Sequence, residues 1–151
     1  MNTADNSAPI NTIIEIDIIK DPLYSIPFLY WPLPEDLIEL DIKTITKIKN
    51  YLANGGMILF DVIGFSRENF NLDNNKFKSI KDFLSSIEAA DLTPIPKDHT
   101  LTKSFYLLKK FPGRWDNKNL LVENSSLELN DGVNSVILGF NDWASAWALD
   151  S

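Results

Sequence analysis

Residues 51–62 read YLANGGMILFDV and carry the clearest structural signal in the chain. It joins the end of an amphipathic helix to a strand through the turn Asn54-Gly55-Gly56. Glycine readily adopts the left-handed backbone conformation that ends helices, so the turn marks a helix stop. The run MILFDV (57–62) follows at once, is apolar except for Asp61, and is typical of a buried strand.

The segments before this turn complete a βαβ unit. A helix is predicted over about residues 41–54, with Asp41 as its N-cap. Its apolar residues recur at helical spacing on one face: Ile42, Ile45, Ile48, Tyr51 and Leu52. Upstream, IPFLYWPL (26–33) is an apolar run with prolines near both ends, which predicts another buried strand. Strand, helix and strand in this order predict a parallel strand pair.

The rest of the chain predicts further elements of one α/β domain. Residues 1–12 are expected to be a flexible lead-in, and residues 13–151 a single domain. The predicted elements are an edge strand or extended arm at 13–19, a helix at about 75–88, one helical turn near 100–107, strands at 120–124 and 134–140 around an Asn130-Asp131-Gly132 turn, and a short helix within 141–150.

The composition excludes several kinds of chemistry. None of the 151 residues is cysteine, so disulfides, thiolate nucleophiles and iron–sulfur clusters are impossible. The chain carries 21 acidic and 14 basic residues, and this net charge of −7 argues against nucleic-acid binding. No apolar run is long enough to insert in a membrane. We predict no cofactor and no metal, because there is no phosphate-binding glycine loop and the single histidine has no ligand cluster.

Polar and aromatic residues lie near the ends of three predicted strands. The carboxyl ends of parallel strands share one edge of a sheet, where ligands bind in open α/β folds. Two residues from the long irregular segment join this group. The predicted ligand-binding set is Tyr30, Trp31, Asp61, His99, Arg114, Asn141, Asp142 and Trp143. The alternative is that the acids cap loops and the aromatic residues fill the core.

A small hydrolase is the second functional hypothesis. Asp61 or His99 would activate water or Ser66. Ser66 lies in GFSRE (64–68), which is similar to the nucleophile elbow G-x-S-x-G but lacks its last glycine. A helix N-cap is the simpler role for Ser66. The sequence therefore assigns no catalytic residue.

Five segments, taken in order, carry a family resemblance. They are PFLYWPL (27–33), YLANGGMILFD (51–61), PKDHTLTKSFYLL (96–108), FPGRW (111–115) and NDGVNSVILGFNDWASAWALD (130–150). Over about residues 17–150 the chain resembles an uncharacterised bacterial family, a domain of unknown function with a class I glutamine amidotransferase-like fold. The resemblance implies a flavodoxin-like three-layer α/β sandwich with a mostly parallel sheet. It also implies a chain truncated at both ends, because family members carry further flanking elements.

The resemblance also suggests a setting. Members of this family often lie at the C-terminus of membrane proteins that resemble the Bat aerotolerance regulators. Cysteine-dependent amidotransferase activity cannot be transferred to a chain without cysteine. The prediction is therefore a non-catalytic ligand-binding or protein-interaction module of a bacterial cell-envelope protein. Its expected partners are other domains of a membrane-anchored parent protein.

Overall fold

A computed structural model of the chain describes residues 14–65, 69–89, 91–94, 121–123 and 136–140. Its elements are β1 (Phe28–Leu33), α1 (Ile42–Ala53), β2 (Met57–Val62), a 3-10 turn (Asn75–Phe77) that leads into α2 (Lys78–Ser86), β3 (Leu92–Pro94), β4 (Leu121–Glu123) and β5 (Val136–Gly139). The predicted lead-in, the turn near 100–107, the turn at 130–132 and the final helix lie outside the described residues.

The predicted βαβ unit is confirmed. β1 and β2 pair in parallel, from Phe28 opposite Met57 to Leu33 opposite Val62. Asp41 caps α1, because its carboxylate accepts a hydrogen bond from the Thr44 N–H at 2.8 Å. Hydrogen bonds from the Thr44 side chain and from its N–H group both lower the pKa of Asp41. The helix ends at Asn54, and Gly55 takes a φ of +91° to turn the chain into β2.

The five strands form one mixed sheet in the order β1-β2-β5-β4-β3. The two longer ladders, β1–β2 and β2–β5, are parallel, while β4 and β3 pair antiparallel. The predicted α/β class with a mostly parallel sheet is confirmed. The prediction of an edge strand at 13–19 is wrong for the described residues 14–19. There the Asp17 side chain and carbonyl accept local N–H groups and form a turn.

Both described helices pack on the same face of the sheet. One apolar cluster joins alternate residues of β1 and β2 to both helices, including Ile48 of α1 and Ile80 and Leu84 of α2, all fully buried. Burying each of these side chains contributes about 1.5–3 kcal/mol relative to leaving it exposed. On the opposite face, Leu59 and Ile137 are buried as well. The central strands are thus covered on both sides, as parallel strands require.

β1 is an edge of the sheet formed by the described strands. The carbonyls of Pro27 and Leu33 accept hydrogen bonds from the N–H groups of Met57 and Ile63 on the β2 side. Because backbone groups alternate in direction along a strand, Pro32 turns its imide nitrogen away from β2. Proline is tolerated at this position, since it carries no N–H to donate.

The turn between α1 and β2 requires glycine at position 56. A Cβ there would overlap the ring of Tyr51, which is buried and donates a hydrogen bond from its hydroxyl to the Met57 carbonyl at 3.2 Å. The ring cannot withdraw without breaking this bond and leaving the core. Burial of the ring also raises the pKa of the Tyr51 hydroxyl.

We expect Gly56→Ala to destabilise the protein by about 1–3 kcal/mol, because the new methyl group overpacks the turn. Urea denaturation measures the change. In a Tyr51→Leu background, which removes the ring, the same substitution should cost clearly less. Equal costs in the two backgrounds would show that the ring is not the cause.

The Asp41 cap predicts a specific pH dependence. Because its pKa is lower in the folded state, its contribution to stability is present above the unfolded pKa of about 3.9 and is lost as pH falls through the folded value. Asn is an equally good N-cap without a charge. The Asp41→Asn variant should therefore have the same stability as the unsubstituted chain at pH 7. It should lose less stability between pH 5 and about 2. Parallel acid titration curves would contradict this assignment.

Candidate functional site

The pairing of β1 with β2 brings Tyr30 and Asp61 together. Tyr30 lies opposite Leu59 in the ladder, so alternation places its side chain on the same face as Asp61. The Tyr30 hydroxyl donates a hydrogen bond to Oδ2 of Asp61 at 2.6 Å. Asp61 is fully buried, at 0% exposure, while Tyr30 is half-buried. A buried carboxyl group requires partners of this kind, because desolvation without hydrogen bonds is costly.

Trp31 lies on the other face of the sheet. Its ring contacts Phe60 and Phe83, with centroids 5.7 Å and 5.5 Å apart. These contacts belong to the apolar cluster under the helices. The structure therefore separates Trp31 from Tyr30 and Asp61, although the sequence grouped all three at one edge. Adjacent residues of a strand point to opposite faces, which is the physical reason for the separation.

Phenylalanine rings surround the carboxyl ends of β2 and β5 on the helix side. Phe70 contacts Phe77 and Phe140, each at a centroid distance of 4.8 Å, and Phe65 contacts Phe77 at 4.9 Å. The ammonium group of Lys76 lies 4.6 Å from the Phe65 ring centroid. This part of the expected ligand-binding edge is thus filled by apolar side chains.

The accessible part of the site is a row of side chains along β1, which we call the β1 strip: Phe28, Tyr30 and Pro32. All three share the face opposite the helices by strand alternation. Phe28 is 43% exposed and Pro32 is exposed, while the neighbouring Met57 is partly covered. The strip thus presents apolar surface to solvent, with the Tyr30 hydroxyl anchored on Asp61.

The other predicted site residues lie outside the described residues: Ser66, His99, Arg114, Asn141, Asp142 and Trp143. Their roles stay predictions. Within the described ranges, no three acidic or histidine side chains come together in a way that could hold a metal ion. Neither of the two described helices combines the length and the apolar character needed to cross a bilayer.

Sequence reasoning missed Phe28 as a candidate residue. The run FLYWPL is apolar or aromatic at every position, so it gives no alternation from which a solvent face can be read. Two signals were nevertheless present. Phe28 and Tyr30 are two residues apart, and Pro32 is compatible only with an edge strand or strand end. Together they indicate that the even-numbered side chains lie at the margin of the sheet.

We expect Tyr30→Phe to destabilise the protein by about 1–3 kcal/mol, because it removes a hydrogen-bond donor from a buried carboxyl group. The matched control is Tyr24→Phe, which removes the same hydroxyl from a side chain that is 91% exposed. The control should change stability by less than about 0.5 kcal/mol. Equal effects in thermal and urea denaturation would mean that the Tyr30–Asp61 bond contributes nothing specific.

Comparison with known proteins gives a family but no activity. No functionally curated protein matches the sequence. The family model described as "Domain of unknown function (DUF4159)" matches residues 4–151, nearly the whole chain. The chain therefore belongs to the DUF4159 family.

Proposed function

We propose that this chain is a non-catalytic interaction module of a bacterial cell-envelope protein, and that its β1 strip binds another domain of a membrane-anchored parent. In this proposal the sheet is the centre of a flavodoxin-like, glutamine amidotransferase-like three-layer sandwich. The parallel β1-β2-β5 core and the burial of both faces of β2 support that architecture. The cell-envelope setting follows from the resemblance to domains that accompany Bat-like membrane proteins.

The observation that carries the proposal is the anchored, half-buried Tyr30 ring beside the exposed Phe28 ring. The Tyr30 hydroxyl is fixed at 2.6 Å from the fully buried Asp61 carboxyl group. The ring therefore has little freedom to lose when a partner covers it, and binding to preorganised groups costs less entropy. Aromatic residues with one apolar and one hydrogen-bonded end are enriched in protein interfaces.

The same geometry weighs against the hydrolase alternative. A general base must lie within hydrogen-bond reach of the water or hydroxyl group that it activates. Asp61 has no solvent exposure, and its carboxylate accepts a hydrogen bond from the Tyr30 hydroxyl. A structural carboxyl group that orients an aromatic residue fits this environment better than a base that must exchange water.

Isothermal titration calorimetry tests the proposal. This chain is titrated with the remaining domains of the membrane-anchored protein, produced as a separate polypeptide. Phe28→Ser should weaken binding at least tenfold, because a central aromatic contact is lost. The matched control is Ile42→Ser, which removes an apolar side chain that is 76% exposed at the start of α1. The control should bind with the same affinity as the unsubstituted chain.

Two results would overturn the proposal. The first is equal affinity of the Phe28→Ser variant and the unsubstituted chain, when circular dichroism shows that both are folded. The second is hydrolysis of p-nitrophenyl acetate that is lost in Asp61→Asn but retained in Asp73→Asn, a matched change at an exposed carboxylate. The second result would establish the hydrolase instead.

A further inference from the structure

An open groove of about 1090 Å³ lies against α1, and its lining includes no residue of the β1 strip. One wall is the segment 22–27 that leads into β1, and the other is a single stripe of α1 that includes Lys43, Lys47, Asn50 and Asn54. These positions recur every three or four residues, so they share one helix face. At 1.5 Å per residue, the stripe from Lys43 to Asn54 is about 16 Å long.

The wall formed by residues 22–27 is mainly apolar. It contributes Leu23, Ile26 and Pro27 together with the ring of Tyr24. Tyr24 is 91% exposed, which is unusual for an aromatic side chain beside a groove. A ligand with an apolar body would cover this ring and gain the free energy of removing it from water.

Apart from tyrosine, two ionisable side chains line the described part of the groove, Lys43 and Lys47. Lys47 is already engaged, because its ammonium group donates to the carbonyls of Ile18, Ile19 and Asp21, which accounts for all three of its N–H donors. Lys43 makes no hydrogen bond or ion pair with the described residues. Lys43 interacts electrostatically with Asp41, which lies outside the lining, and the charged side chains that line the described part of the groove are both positive in a chain with a net charge of −7.

The end of the groove at the α1–β2 turn is uncharged. The amide of Asn54 donates to the Asn50 carbonyl at 2.7 Å, and the N–H groups of Gly55 and Gly56 also bond to carbonyls of the last helical turn. The carbonyls of Asn50, Tyr51 and Leu52 therefore each accept a hydrogen bond from the chain itself. No carboxylate lines the described part of the groove to pair with a cationic ligand, whereas Lys43 offers an ammonium group near the start of the helix.

We propose that this groove binds a small amphipathic carboxylate: an unbranched or aromatic apolar body along residues 22–27 with its anionic group at Lys43. The stripe is long enough for a medium-chain acid, and a lining with two ammonium groups and no carboxylate among the described residues favours an anion over a neutral or cationic molecule of the same shape. This site shares no residue with the β1 strip, so it stands or falls independently of the proposed function.

Titration with three eight-carbon probes tests the proposal: octanoate, 1-octanol and octylamine. Chemical-shift changes in ¹H–¹⁵N spectra report both affinity and location. Octanoate should bind at least threefold more tightly than either other probe, and the shifts should map to residues 22–27 and to α1 around Lys43 and Lys47. The modest ratio reflects an exposed ion pair, which contributes a few-fold in affinity.

Variants separate the two halves of the site. Lys43→Gln should remove the preference for octanoate over 1-octanol, while Tyr24→Ala should weaken both probes by about tenfold. The matched control is Lys78→Gln, which makes the same change at the first residue of α2, where the side chain is 71% exposed. The control should keep the preference.

Three outcomes would overturn the proposal. The first is the absence of saturable chemical-shift changes up to the solubility limit of octanoate. The second is a set of shift changes that maps away from the groove. The third is that Lys78→Gln loses the preference for octanoate to the same degree as Lys43→Gln. Because Lys43 and Tyr24 are exposed, the variants should fold, and unchanged spectra elsewhere in the chain confirm this.

Discussion

The parallel pairing of β1 with β2 sets the neighbours of almost every other described element. Its six-residue register decides which side chain of each strand meets which neighbour. It places Tyr30 beside Asp61 on one face and Trp31 beside Phe60 on the other. A slip by one residue would exchange the two faces, expose the core aromatic residues and bury the wrong side of the strand. Register is therefore strongly specified, since both faces of β2 are buried.

The helix side and the opposite side of the sheet use different physical interactions. Among the described residues under α1 and α2, the buried side chains are apolar and aromatic apart from Thr44. On the other face, a carboxyl group sits among buried aliphatic residues and is held by a tyrosine from the neighbouring strand. An apolar side chain at position 61 would avoid this desolvation. The buried pair instead adds direction, because a hydrogen bond fixes one ring orientation where apolar packing alone allows several.

Much of the βαβ unit could be predicted because its signals are local. Helical spacing, the Asp41 cap and the Gly55-Gly56 turn lie within one stretch of sequence, and the structure confirms them. β3 escaped prediction because three residues are too short to show a period. The Tyr30–Asp61 bond joins residues 31 positions apart, so it depends on a register that sequence spacing does not contain. Trp31 was grouped with them because a uniformly apolar strand hides its two faces.

Pro32 has a consequence for how this protein behaves at high concentration. Sheet edges are the usual templates for aggregation, because a second chain can add strand after strand along open backbone groups. On the outer side of β1, Pro32 interrupts the row of donors, and the absent N–H breaks any ladder that begins to form there. The margin of the sheet formed by the described strands can thus expose apolar rings to solvent while resisting the growth of fibrils from the same strand.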